Sequence, residues 1–285
     1  MTVDREERTP GIRLEGVRFQ YPGARSWALD GADLEVWAGE VVGLVGPNDA
    51  GKTTLSLVAS GLAPGVTGGR LEGTATLVGV GTAGLKPSEA ARLCGVLFQQ
   101  PRSQLSGTSV TVWEEIAFGP RNLGLPVADI VERVGRVLSV LRIEHLAARD
   151  PGRLSGGQGQ LVAFAAVLAL EPAALVLDEP TSQLDPEGTR LVGEAILRSA
   201  EELDCAVLVV EHKAGLLESI ASRIAVLDGG KVIETGPTEA IFTSDALAAV
   251  GVEMPPAMRL RRAAATLPTG DTRTAFEAAI EAATR

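Results

Sequence analysis

The chain predicts an α/β fold. It has a mainly parallel sheet covered by helices, an antiparallel β part ahead of it, an inserted helical subdomain and a C-terminal helical extension. Three observations lead there. Short, almost wholly apolar runs recur at 41–45, 175–177, 207–210 and 224–227, as in strands buried on both faces. Helix-period segments at 186–202 and 214–220 separate the last three runs, which is the βαβ pattern of a parallel sheet. Ahead of the first run, Ile12, Leu14, Val17 and Phe19 come close to strict alternation among polar neighbours, the mark of a half-buried strand.

The elements follow in order. The first strand ends at the turn Tyr21-Pro22-Gly23, and a second covers 29–36 and stops near Gly39. The run 41–45 enters a glycine-rich loop and then a helix over 52–61. Residues 65–84, rich in Gly and Thr with short apolar alternations, predict hairpins. Helix 87–93 and strand 95–98 come next. From 101 to 164 the helical signal dominates; 127–141 places Ile130, Val131, Val134, Val137, Leu138 and Leu141 at helix period. Gly229-Gly230 marks a late hairpin. The Ala-rich tail from Pro237 predicts helix, interrupted at Pro255-Pro256 and at Pro268-Thr269-Gly270. The expected organisation is one domain over 1–236, with the helical subdomain inserted at about 101–164, and an extension over 237–285.

Composition bounds the function. A chain of 285 residues, 45% hydrophobic and 22% charged, is a globular protein; it can bury about three quarters of its unfolded surface without disulfides. With 26 Lys plus Arg against 36 Asp plus Glu the net charge is −10, unlike the basic footprint of a nucleic-acid binder, so no nucleic-acid partner is expected. Cys94 and Cys205 have neither metal-ligand spacing nor a disulfide framework and are expected as reduced thiols in apolar strands. The N-terminus, Met1 to Arg8, mixes charges of both signs, unlike a signal peptide. The longest apolar run, 161–170, is half a membrane span. Work at a membrane would need another chain to cross it.

Gly46-Pro47-Asn48-Asp49-Ala50-Gly51-Lys52-Thr53 fits G-x-x-x-x-G-K-[ST] between a buried strand and a helix. Its glycines let consecutive N–H groups turn inward on a phosphate, and the helix start adds its positive dipole end. The Lys52 ammonium neutralises β/γ-phosphate oxygens and the Thr53 hydroxyl can ligate Mg²⁺. Leu175-Val176-Leu177-Asp178-Glu179 is an apolar strand ending in two acids. Asp178 can hold Mg²⁺ through water, and Glu179 can orient or deprotonate an attacking water. Leu154-Ser155-Gly156-Gly157-Gln158 precedes a helical run, with Ser155 as N-cap and glycines exposing N–H groups to a second anion. Two phosphate sites so far apart in sequence suggest closure on one nucleotide from two subunits.

With these motifs in order, the chain resembles the nucleotide-binding subunit of an ABC transporter over nearly its whole length, a P-loop NTPase. The resemblance implies ATP and Mg²⁺ as ligands. Tyr21 falls where that family stacks an aromatic on adenine, and Gly46, Asn48, Asp49, Ala50, Gly51, Lys52, Thr53 and Thr54 form the phosphate (Walker A) site. Gln99 falls at the Q-loop, with Thr53 and Asp178 completing the metal set. Glu179 and Asp178 end the Walker B strand, and His212 in Val210-Glu211-His212 matches the switch histidine. Catalysis is thereby implied for Glu179, His212 and Gln99. A partner subunit would add Ser155, Gly156, Gly157 and Gln158 of its signature and Asp185 of its D-loop, Ser182-Gln183-Leu184-Asp185.

The stretch from Phe98 to Leu105, the run from Glu114 to Pro126, and Gly251-Val252-Glu253-Met254-Pro255 before a helical piece are similar to ATPases of energy-coupling factor (ECF) importers, which take up vitamins or cobalt and nickel ions. That implies a second ATPase subunit, same or related, paired through 237–285. It also implies a transmembrane coupling protein docked near residues 99–126, a membrane substrate-binding component, and a peripheral place on the cytoplasmic face of the membrane. Another type of ABC importer, or a weakly hydrolysing regulatory ATPase, stays open as an alternative. Three departures stand out. Asp49 and Ala50 replace the usual Gly and small hydroxyl or thiol residue, and an acid there repels phosphate unless it points away. Gly159-Gln160-Leu161 lacks the usual basic residues, removing an expected salt bridge. Arg102-Ser103 replaces an often acidic pair facing the membrane partner.

Overall fold

Two sheets share the polar-apolar bookkeeping of the chain. The computed structural model describes residues 9–252 and 254–265; the N-terminal octapeptide and the predicted break at Pro268-Thr269-Gly270 lie outside them. β1 (Ile12–Gln20), β2 (Leu29–Val36), β4 (Arg70–Leu77) and β5 (Val80–Gly81) form an antiparallel sheet in the order β2-β1-β4-β5. The second sheet contains β3 (Val41–Val45), β6 (Cys94–Leu97), β7 (Ala174–Asp178), β8 (Ala206–Val210), β9 (Arg223–Asp228) and β10 (Lys231–Pro237), in the order β10-β9-β3-β8-β7-β6. All its pairs are parallel except β9–β10.

Every residue of β3, β7 and β8 is buried, and the two-residue period of a strand divides them between two cores. Val42, Leu44, Val176 and Leu208 face the antiparallel sheet and α1 (Lys52–Ala59), packing with Phe19, Leu29 and Leu55. Val41, Val45, Leu177 and Val209 face the helices on the other side. α6 (Pro186–Leu203) and α7 (Ala214–Ile220) make the crossovers between the late strands, and α2 (Pro87–Leu93) leads into β6.

Between β6 and β7 the chain runs through a 3-10 turn at Pro101–Gln104, α3 (Val112–Asn122), α4 (Val127–Val140) and α5 (Gly156–Leu168). A capping box opens α3: Thr111 Oγ1 accepts from Glu114 N while the Glu114 carboxylate accepts from Thr111 N. α4 buries Ile130, Val134, Val137 and Leu138, but Val131 is 51% exposed. The periodicity had put Val131 on the apolar face, yet it sits at that stripe's rim. The apolar run 161–170 falls on α5 and the two residues after it, and α5 is apolar nearly all round because it is wedged between α3 and the parallel sheet.

After β10 come α8 (Thr238–Phe242), α9 (Asp245–Ala249) and α10 (Pro256–Ala265). Ile241, Phe242, Leu247 and Met258 are buried in the helix-side core. The Pro255-Pro256 pair separates α9 from α10, with Pro256 as the first residue of α10. Cys94 and Cys205 are buried and free; burial pushes the Cys205 thiol up to about 12 and drives Cys94 up as well, so both stay protonated at neutral pH. Among the described residues no helix is long and apolar enough to cross a membrane.

Phe164, fully buried on α5, ties the helical insertion to the core. Truncation to Ala is expected to lower unfolding free energy by about 3–5 kcal/mol. Urea titration followed by circular dichroism measures it; a loss under about 1 kcal/mol would show that this junction packs loosely.

Candidate functional site

The ends of β3, β8 and β7 lie side by side, because Leu44 pairs with Val210 and Val210 with Asp178. The loops that leave these strands therefore meet at one edge of the sheet, the usual ligand edge of parallel α/β sheets. There an open cleft of about 700 Å³ is lined by Asn48, Asp49, Gly51, Lys52, Thr53, Thr54, Gln99, Asp178, Glu179 and His212, with Trp27, Ala28 and Gly229-Gly230 at its rim.

The loop after β3 is shaped by space. A Cβ on Gly46 would lie 2.1 Å from the Leu227 carbonyl oxygen, and one on Gly51 would lie 2.6 Å from that of Ala28. Gly51 also has φ 101°, which glycine alone adopts freely. α1 begins at Lys52 with no side-chain N-cap and no acid in its first turn. Lys52 Nζ folds back to donate to the carbonyls of Gly46 (2.9 Å) and Pro47 (2.7 Å). Burial pulls its ammonium below the usual lysine range, opposed by the charges of Asp178, Glu179 and Asp49. Asp49 is exposed at φ 64°, while Ala50 behind it is buried. A left-handed position is one where glycine costs least, so the Asp49 departure adds both charge and backbone strain.

Asp178 is 5% exposed. Burial pushes its carboxyl above the usual range, and Glu179 adds to that; the Thr53 hydrogen bond, Lys52 and His212 oppose it. Glu179 has φ 51°, a left-handed conformation that turns it off the strand. Such strain costs on the order of 1 kcal/mol or more and persists only where surroundings enforce it. Here Glu179 N donates to Val210 O at 2.9 Å, and its carbonyl accepts from Gln160 Nε2 at 3.1 Å. Its Oε1 lies 3.2 Å from His212 Nε2. The two acids at the end of β7 thus part company, one buried against Thr53 and one aimed at the histidine.

Ser155 caps α5 through a capping box with Gln158. The next turn packs on the segment after β7: a Cβ on Gly156 would meet Gln183 Oε1 at 2.7 Å, and one on Gly157 the Gln183 carbonyl at 3.3 Å. Asp185 caps α6, its Oδ1 accepting from Gly188 N at 2.7 Å. None of Ser155, Gly156, Gly157, Gln158 and Asp185 is among the residues lining the cleft. Tyr21 is also absent from that lining; its hydroxyl is 3.2 Å from Thr54 Oγ1 and its ring meets Phe19 edge-on at 5.0 Å. Trp27 is the aromatic that lines the rim, with the Arg18 guanidinium 4.2 Å from its ring centre.

Sequence reasoning missed three residues. Trp27 has no motif around it. Gln160, fully buried, donates through Nε2 to the Glu179 and Pro180 carbonyls and accepts from Gln183 N, which ties α5 to the segment after β7. Glu211, 4% exposed, lay in the quoted motif beside His212 without an assigned task. A charged residue next to a switch motif was the signal for it.

The ABC transporter family pattern matches residues 29–182. A Pyrococcus abyssi protein provisionally named an ABC transporter ATP-binding protein is 35% identical over 250 residues, covering 87% of this chain and 89% of the relative. A Streptomyces coelicolor protein of the same provisional name is 40% identical over 236 residues, 83% of this chain and 86% of the relative. Among solved structures, CbiO1 of Clostridium perfringens, part of the ABC transporter complex CbiONQ, superposes with a TM-score of 0.72 at 27% identity, over 89% of this chain and 99% of that one. The ATP-binding cassette MJ0796, a dimer in a post-hydrolysis state with ADP and Pi, superposes with a TM-score of 0.69 at 25% identity, over 80% of this chain and 98% of that one. With a phosphate loop, a paired acid and histidine and an ordered signature on this fold, the chain belongs to the ABC transporter family as an ATP-binding, ATP-hydrolysing cassette with the P-loop NTPase fold.

Proposed function

We propose that this cassette energises an ECF-type importer for a vitamin or a transition-metal ion, working in a pair at the cytoplasmic face of the membrane. The observation that supports the catalytic reading best is the 3.2 Å contact between His212 and a Glu179 held off the strand at positive φ. Likeness to CbiO1 over 89% of the chain supports the ECF type.

In this reading Lys52 leaves the Gly46 and Pro47 carbonyls for the β- and γ-phosphates of ATP, and the N–H groups of 48–54 close round them. No group of three or more His, Cys, Asp or Glu among the described residues could hold a metal alone. The donors present, the Thr53 hydroxyl, the Asp178 carboxylate and the Gln99 side chain, are hard oxygens at one cleft, which suits Mg²⁺ sharing its shell with water and phosphate. Bound Mg²⁺ supplies charge neutralisation for the transferring phosphoryl group. Glu179 orients the attacking water, and His212 steadies that carboxylate and reaches the γ-phosphate. Ser155, Gly156, Gly157, Gln158 and Asp185 stand outside their own chain's cleft, so a second subunit presents them as the lid. The lid excludes water and strengthens the site's electrostatics. The extension 237–285 pairs the two copies.

The partner in the membrane would dock on the groove of about 290 Å³ lined by Phe98, Leu105, Phe118, Gly119 and Leu170, between β6 and the α3–α5 pair. Phe118 is 42% exposed there. Below it Glu115, 4% exposed, fixes Ser106 through that residue's N–H and hydroxyl. A weakly hydrolysing regulatory role is favoured by one observation, the exposed acid Asp49 on the phosphate loop.

Glu179→Gln is expected to keep ATP binding while slowing turnover by about 100-fold or more, with an ATP-stabilised dimer visible by size-exclusion chromatography; wild-type hydrolysis would remove Glu179 from its role. Asp49→Gly removes a like charge near the phosphates, worth on the order of 1 kcal/mol or about fivefold in Kd. Titration with a fluorescent nucleotide should show tighter binding, and unchanged affinity would remove the one observation that favours the regulatory reading. Phe118→Asp should abolish co-purification with a transmembrane component at unchanged ATP affinity; retention would move the docking site elsewhere.

A further inference from the structure

Glu211 is a buried carboxylate that forms no ion pair among the described residues, yet it is fully engaged. Its Oε1 accepts from the backbone N–H of His212 and of Lys213, each at 3.2 Å. Its Oε2 accepts from the Thr181 hydroxyl at 3.0 Å. Thr181 is itself fully buried. Lys213 answers from the same segment: Nζ donates to the Thr181 carbonyl at 2.7 Å and contacts Thr189 Oγ1 on α6 at 3.2 Å. One residue upstream, Val210 O accepts from Glu179 N. The segment after β8 and the segment after β7 are therefore fastened at three successive levels, with the His212–Glu179 contact at the open end.

A charge-assisted acceptor with two oxygens can hold both amides and the hydroxyl at once, about twice as strongly as neutral partners would. His212 needs this support, since its side chain is 49% exposed and its ion-pair partner among the described residues is Glu179. We propose that Glu211 and Lys213 are positioning residues for hydrolysis: they lock the backbone of the switch segment to Thr181 and α6 and so hold His212 against Glu179. This rests on the roles of Glu179 and His212 proposed above. The hydrogen bonds of the tie reach no residue of 46–54, although Glu211, His212 and Lys213 line one cavity with Gly46, Pro47 and Asn48, so the tie bears on the hydrolytic pair more than on the phosphate loop. A misplacement of about 1 Å at a reacting pair can cost on the order of 100-fold in rate. The lock therefore acts on kcat far more than on KM.

The test is steady-state ATP hydrolysis by the full-length protein carrying Lys213→Met or Glu211→Ala, beside Glu179→Gln. Lys213 is exposed, so Lys213→Met leaves the core untouched. Both variants are expected to lose about tenfold or more in kcat with KM for ATP within about twofold of wild type. Lys213→Arg and Glu211→Gln, which retain a donor and an acceptor, should stay within about threefold. Wild-type kcat in Lys213→Met overturns the proposal, as does a rise in KM that accounts for the lost rate. If Glu179→Gln is itself fully active, the site assignment fails instead, and the two failures are told apart.

Discussion

The parallel hydrogen-bonded ladder of β3, β8 and β7 is the constraint on which the site depends. Its register sets the ends of three buried strands level, so that a phosphate loop, a pair of acids and a histidine emerge as neighbours from segments spread over residues 46–212. Nothing in the cleft would survive a one-residue slip, because the two-residue period would exchange the faces of Val42, Leu44, Val176 and Leu208 with those of their neighbours and open both cores. Hydrophobic burial on two sides thus holds the geometry of a polar edge.

The cores and the site were legible in the sequence to different depths. The buried strands could be read because a run apolar at every position has few other uses, and the phosphate loop because its glycines are required by close approach to Leu227 and Ala28. The departure at Asp49 was visible as a charge, but its backbone meaning was not, since a φ of 64° leaves no trace in composition. Gln160 and Glu211 escaped assignment because their partners, at 179–183 and at 181, are reached only after folding. Trp27 is the same case at the rim: it lines one cleft with Lys52 and Thr53, whereas Tyr21, named by resemblance, is anchored through Thr54 instead.

The signature turn and the segment after β7 behave as one surface. Gly156 and Gly157 leave room for Gln183, and Gln160 ties the same helix to the carbonyls of Glu179 and Pro180. α5 is thus tied to the end of β7 near its start and lines the groove at Phe118 further along.

The bare start of α1 has a thermodynamic consequence. A helix that opens on Gly51, with neither a side-chain cap nor an acid in its first turn, leaves its leading amides to be satisfied by whatever anion arrives. In the function proposed above, the triphosphate would cap that helix start as well as serve as fuel. The folded population should rise with nucleotide concentration, as mass action requires of any ligand that recognises only the folded chain, and the cell's adenylate level becomes one of the quantities that sets the fraction of molecules that are folded.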